Sequence, residues 1–203
     1  QRKAYDEMVA DMSGKHVMNR LIQGDVGSGK TIIAVLALLN AVEAGFQGAL
    51  MAPTEVLAKQ HYDTLYKFLA PLGVTIALLT GSQTSAQKKQ IRQLIADGQI
   101  DVAVGTQALI QKSTRFSSLG LVITDEQHRF GVGQRAALGS KGNEPHILVM
   151  SATPIPRTLG MIIYGDLDIS ILDEMPKGRL PIRTYAVDTS YRERLYKFIM
   201  KYV

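Results

Sequence analysis

The sequence contains no cysteine, which excludes a disulfide framework and a thiolate zinc site and fits a reducing compartment. It has no long hydrophobic run either. The longest, residues 31–42, includes Asn40 and falls short of the roughly 20 apolar residues that cross a bilayer, so a soluble, cytoplasmic chain is expected. The four histidines show no metal-ligand spacing with carboxylates, so no histidine-based metal centre is expected. Glycine and proline are near average usage and spread along the chain, and no internal repeat is found. That excludes a low-complexity or linker-like chain. The chain opens on Gln1 in a helix-like pattern, without the charged and apolar regions of a signal peptide, as expected of a segment cut from a longer protein. Its 203 residues, 46% of them hydrophobic, fit one large domain, or one domain and the start of another. A formal charge of +5 favours a polyanionic partner without identifying one.

Short apolar or β-branched runs at residues 18–23, 48–52, 74–80, 101–106, 119–125 and 147–151 read as strands, with one more at 167–172. Helix-like stretches lie between most of them. Residues 31–44 are apolar almost all round and read as a buried helix, whereas 54–69 place Leu57, His61, Leu65 and Phe68 on one stripe. Residues 85–96 read as a surface helix with Ile91, Leu94 and Ile95 inward and Gly98 placed to end it. This alternation implies parallel strands with crossover helices, an open α/β sheet whose active edge lies beyond the strand carboxyl ends. After Ser151, Pro154 and Pro156 mark a turn, 157–164 read as helical, and 173–181 read as a linker. A strand at 182–187 and an amphipathic helix at 190–202 begin a further unit.

Gly24, Asp25, Val26, Gly27, Ser28, Gly29, Lys30 and Thr31 form the pattern GxxxxGKT between an expected strand and an expected helix. The glycines let backbone N–H groups close round phosphates. Lys30 reaches the β and γ oxygens, and the Thr31 hydroxyl can ligate magnesium at the helix N-terminus. Asp125 and Glu126 follow a second strand, so two carboxylates stand at the same edge. Phosphoryl transfer needs positioning and charge neutralisation, which assigns Asp125 to the metal and Glu126 to the attacking water. Ser151, Ala152 and Thr153 follow a third strand and by themselves read as a turn.

In this order and spacing, the P-loop, Asp125-Glu126-Gln127-His128 and Ser151-Ala152-Thr153 resemble motifs I, II and III of superfamily-two helicases over nearly the whole chain. Longer strings narrow the resemblance to the RecG family of bacterial branched-DNA helicases. They are Met18 to Leu21 leading into Gln23 to Thr31, Asp125 to Val132, and Ser151 to Thr158. The transcription-repair coupling factor shares much of the second and third strings, but its acidic box continues with Glu where this chain has Gln127. Thr124 is polar where the family more often has an aliphatic residue.

The resemblance implies a RecA-like P-loop NTPase domain, a mostly parallel central sheet flanked by helices. Residues 1–175 would form the first, ATP-binding motor domain, and 176–203 the linker and beginning of a second. It implies ATP and magnesium as cofactors, with His128, Ser151 and Thr153 coupling nucleotide state to grip. Thr54 and Glu55, Gly81 and Ser82, and Thr106 and Gln107 would contact a DNA backbone, since small, hydroxyl and helix-start residues offer donors without bulk. Read alone, each of these is an ordinary loop, and Thr54 an N-cap. Gln1 stands where such motors place an adenine-reading glutamine; the alternative is a solvated first residue. Arg129, Phe130, Gln134 and Arg135 form a loop that either relays ATP state to DNA or packs on a neighbouring domain. Lys88, Lys89 and Arg92 read as a solvated helix face.

The implied partners are branched DNA (forks and junctions, held through phosphates), a second motor domain with an arginine finger, and an N-terminal wedge domain. No membrane is involved. A duplex translocase of the coupling-factor type, an RNA helicase, a P-loop kinase or small-molecule ATPase, and a binding module without catalysis are the alternatives. Lys30, Thr31, Asp125 and Glu126 argue against the last.

Overall fold

The computed structural model of the chain describes residues 1–125, 138–152, 167–173, 184, 186 and 188–202, and the statements that follow concern these. Seven strands, β1 (Asn19–Gly24), β2 (Gln47–Met51), β3 (Ile76–Leu79), β4 (Val102–Gly105), β5 (Leu119–Thr124), β6 (His146–Ser151) and β7 (Asp168–Leu172), form one sheet in the order β3-β4-β2-β5-β6-β1-β7. Every pairing is parallel. A mostly parallel sheet was the expectation, and among the described strands it is wholly so. All the expected strands up to residue 172 form, with ends shifted by one or two residues.

Four helices, α1 (Arg2–Met12), α2 (Lys30–Glu43), α3 (Glu55–Leu69) and α4 (Ser85–Ala96), precede or connect the first strands. The period-2 alternation of side chains along a strand divides the core into two faces. Ile22, Leu50, Val102, Val104, Leu121, Ile123, Leu148 and Met150 pack with α1, α2 and α3, while Ala49, Met51, Ala103 and Val122 pack with Ile95 of α4, Leu109 and Leu138. Strands covered on both sides are expected to be largely apolar, as the inner stretches 49–51, 102–104, 121–123 and 147–150 are. Alanine and glycine on the inner strands let the helices approach. A Cβ on Gly48 would lie 2.3 Å from Leu38 Cδ2 of α2.

Helix α4 spans the expected residues and is fixed at its start by a capping box between Thr84 and Gln87. Helix α3 departs from expectation in one respect. Its sheet-facing stripe is Ala58, His61, Leu65 and Leu69, and Phe68 is 46% exposed. Steps of three and four leave two solutions at a helix end, and the sheet takes the four-step one. The helix expected at 190–202 forms as α5 (Arg192–Tyr202) after a short turn. The helix expected at 157–164 lies outside the described residues, as do most of the linker at 173–181 and of the strand at 182–187.

Helix α1 is anchored by one buried guanidinium. Arg20 of β1 donates through Nε to Asp11 Oδ2 (2.6 Å) and through Nη1 to Glu7 Oε2 (3.2 Å) and Ser170 Oγ of β7 (2.8 Å). Ser170 Oγ in turn donates to Glu7 Oε2. One side chain thus ties α1, β1 and β7 together and fixes where Gln1, at the start of α1, meets the β1 loop. Replacing Arg20 with Leu strands two carboxylates beneath α1, and removing one partner of a buried pair is strongly destabilising. A loss of about 3 kcal/mol is expected, read as a lower urea midpoint at unchanged slope; a loss below about 1 kcal/mol would show the cluster to be solvated.

Candidate functional site

The strand ladders bring the described sequence-predicted residues that follow the strands to one rim. In register, Gln23 of β1 lies beside Ser151 of β6, Thr124 of β5 beside Met51 of β2, and Met51 beside Gly105 of β4, which lies beside Leu79 of β3. The loops after these strands therefore emerge together. Along the rim the sheet order separates two groups. Lys30, Asp125 and Ser151 belong to the half built on β1, β6 and β5. Thr54 and Glu55, Gly81 and Ser82, and Thr106 and Gln107 follow β2, β3 and β4.

The 24–31 loop turns through two left-handed glycines, Gly27 (φ 81°) and Gly29 (φ 94°), a region that favours glycine. Gly24 also admits no side chain. A Cβ there would lie 2.6 Å from Ser28 Oγ and 2.8 Å from Leu172 Cβ. Lys30 Nζ, opening α2, donates to Gly24 O (2.8 Å) and Asp25 O (3.0 Å), and Ser28 N donates to Asp25 O (3.1 Å). The ammonium is thereby held across the loop mouth. Asp25 Oδ1 accepts from Val26 N (2.7 Å). Ser28 Oγ is buried and without a hydrogen-bond partner among the described residues. Gln1 reaches this loop, its Nε2 donating to Ser28 O at 2.8 Å.

Asp125 lies two interstrand steps from β1, about 10 Å, a span that suits a triphosphate with its metal. Its backbone N–H continues the ladder to Met51 O (3.0 Å), and its Oδ2 lies 2.7 Å from His61 Nε2 of α3, both side chains being buried. By sequence, His61 is only one member of the stripe of α3. No local signal marks its contact, because the partner is 64 residues away. Ser151 ends β6 and is buried. Glu126, His128, Thr153 and the 129–135 loop lie outside the described residues.

In the other half, Thr54 caps α3, its Oγ1 accepting from Leu57 N at 3.3 Å. Glu55 Oε1 accepts from Ser82 N at 2.9 Å, so this carboxylate, placed by sequence among backbone-contacting residues, organises the Gly81-Ser82 loop. Lys88 closes the same loop by donating to Gly81 O (2.8 Å), and Arg92 donates to Thr114 Oγ1 (3.2 Å) and Gln111 Oε1 (2.6 Å). These two cations are loop ties, a correction to the solvated face expected of them. Thr106 N donates to Leu79 O (3.3 Å), and a Cβ on Gly105 would sit 2.1 Å from that oxygen. Gln107 is exposed at the start of a short 3-10 turn.

A cavity of about 430 Å³ lies at the opposite, amino edge of the strands, lined by Tyr5, Val9, Asn40, Phe46 and His146 among others. No residue of the 24–31 loop lines it, so it is separate from the rim that carries Lys30 and Asp125. No helix among the described residues is long and apolar enough to cross a membrane.

The DEAD/DEAH box helicase family model matches residues 1–162. Among curated proteins, the ATP-dependent DNA helicase RecG of Synechocystis sp. is 50% identical over 203 residues, covering 100% of this chain and 24% of that protein. The Bacillus subtilis protein of the same name is 51% identical over 201 residues, 99% of this chain and 30% of that protein. The chain thus spans a third or less of these relatives. A solved structure of RecG bound to a three-way DNA junction superposes with a TM-score of 0.84 at 46% identity, covering 98% of this chain and 26% of that one. The fold is accordingly the RecA-like one.

Glu55 is held below its ordinary carboxyl value of 4.5 by the Ser82 hydroxyl and, next, the Ser82 amide. A lowered folded-state value means that the tie is intact above the ordinary value and is lost as pH falls through the lowered one. The Ser82 amide resonance should therefore titrate with a midpoint below 4.5, and Glu55→Gln should abolish that titration. A midpoint at or above the ordinary value would contradict the tie.

Proposed function

This chain belongs to the DEAD/DEAH box helicase family, and from that premise we propose that it is the first, nucleotide-binding motor domain of an ATP-driven helicase or translocase acting on branched DNA in recombination and repair. The observation that carries the reading is the meeting of Lys30 and Asp125 on one rim of a parallel sheet, beside a separate row of donor-rich loops. Identity of about half over the full chain to RecG proteins supports the branched substrate, as does the likeness to a RecG structure on a junction. In this reading the whole protein is cytoplasmic, residues 1–175 are the motor unit, and 176–203 lead into a second one.

The 24–31 loop cradles the phosphates through backbone N–H groups, and Lys30 exchanges its two carbonyl acceptors for β and γ oxygens. Thr31 and Asp125 supply hard oxygen donors of the kind magnesium takes alongside phosphates and water. The buried Ser28 Oγ, without a partner among the described residues, fits a loop shaped round an anion. Bound magnesium would neutralise charge on the β and γ oxygens. Glu126 polarises the attacking water, and His128, Ser151 and Thr153 pass nucleotide state onward. Gln1, whose amide nitrogen donates to Ser28 O of the P-loop, would turn its amide to adenine in the same role.

Thr54, Gly81, Ser82, Thr106 and Gln107 present N–H and O–H donors to successive phosphates, with Glu55 as organiser. Such contacts grip without reading bases. An arginine finger on a second motor domain and a junction-recognising wedge domain complete the machine, so the chain by itself is a poor ATPase.

In the full-length protein, Lys30→Ala should lower ATP turnover at least about a hundredfold. Glu126→Gln should keep ATP bound while blocking hydrolysis; normal turnover by the second variant would refute its assigned role. Forked DNA should stimulate the ATPase more than plain duplex or single-stranded RNA. Preference for duplex would point to the coupling-factor type, and indifference to any polynucleotide to a kinase or small-molecule ATPase. Affinity for the fork should fall linearly in log–log coordinates with salt, by roughly 0.7 to 0.9 per phosphate contacted; a flat response would remove the backbone grip.

A further inference from the structure

A buried side-chain contact, His61 to Asp125 at 2.7 Å, joins the two halves of the rim. We infer that His61 is a positioning residue for the nucleotide site and that α3 is the rod through which a grip on DNA reaches Asp125. The inference rests on the motor reading above and adds to it a residue outside the motif strings quoted from the sequence.

The geometry runs as a continuous chain of bonds. Ser82 N donates to Glu55 Oε1 at 2.9 Å, at the first turn of α3, and Thr54 caps the same turn. Six residues further, about 9 Å along a helix, His61 meets the carboxylate. Between and beyond these points α3 is pinned to the sheet by Ala58, Leu65 and Leu69, each fully buried, so it has little freedom to bend. A displacement imposed on the Gly81-Ser82 loop or on Thr54 is therefore delivered to Asp125 as a shift of the imidazole.

Chemistry fixes the sense of the contact. Against an ionised carboxylate, which only accepts hydrogen bonds, Nε2 would be the donor. The main chain of Asp125 is already held by the bond from its N–H to Met51 O. What His61 adds is control of the carboxylate plane. Partners that orient a metal-binding group from behind are commonly worth 10- to 100-fold in metal affinity. Oδ2 is directly engaged by His61, so its bond biases how the carboxylate faces a magnesium-bound nucleotide.

The test uses the full-length protein with His61→Leu, His61→Gln and His61→Asn. Gln carries an amide nitrogen near the place of Nε2, whereas Asn carries one near that of Nδ1, so the pair separates the bond from mere polarity even if the Leu variant does not fold. The first readout is the magnesium concentration that half-saturates binding of a fluorescent, non-hydrolysable ATP analogue, measured without turnover. It should rise about tenfold in the Leu and Asn variants and stay within about threefold of wild type in the Gln variant. The second is the fold stimulation of ATPase by forked DNA, measured at magnesium saturating for each variant, which should fall in the same two variants. Unchanged magnesium dependence in the Leu variant, or equal behaviour of Gln and Asn, overturns the positioning role. A tenfold magnesium shift with full fork stimulation overturns the transmission through α3. Absence of any fork stimulation in the wild type sinks the motor reading instead, and the magnesium comparison still decides the role of His61.

Discussion

Everything in this molecule follows from strands that all run the same way. A parallel ladder forces each connection to travel back along the sheet before the next strand begins, so every strand delivers its carboxyl end, and the loop that follows, to a single rim. Residues as distant in sequence as Gln23 and Ser151 become lateral neighbours by register. The covering helices are a consequence of the same constraint. A sheet buried on both faces needs apolar strands and two apolar layers above and below it, which is what the two core clusters supply.

Strand order then determines what the rim can do. With β5, β6 and β1 adjacent on one side and β3, β4 and β2 on the other, the loops carrying Lys30 and Asp125 are kept apart from the donor-rich ones. The boundary falls between β2 and β5. That is where Asp125 makes its backbone bond to Met51 and its side-chain bond with His61, so the join between the halves is made by the residue assigned to the metal.

Much of this was legible in the sequence because the relevant signals are local. The P-loop needs its glycines at fixed offsets, α4 shows its inward stripe and its stop at Gly98, and apolar runs bounded by Gly, Pro or Asp mark the strands. What escaped is non-local. Neither the Arg20 cluster joining α1, β1 and β7 nor the His61 contact has a pattern that survives without the register. Nor does any local signal mark the bond from the amide of Ser82 back to Glu55, 27 residues away. Phe68 was misplaced because a stripe at steps of three and four has two continuations at its last turn, and packing against the sheet chooses between them.

The packing of Gly105 has a mechanical corollary. With no room for even a methyl group between its α-carbon and Leu79 O, the carboxyl end of β4 lies tight against that of β3, and the loops at their ends stand as neighbouring teeth of one comb. The pitch of that comb is the interstrand distance, about 4.8 Å, and no thermal motion of the side chains alters it. On the proposed reading, a polynucleotide backbone laid across it must adopt the protein's spacing. Selection then falls on how readily a strand can be bent to that pitch, a property of its sugar-phosphate chain and not of its letters.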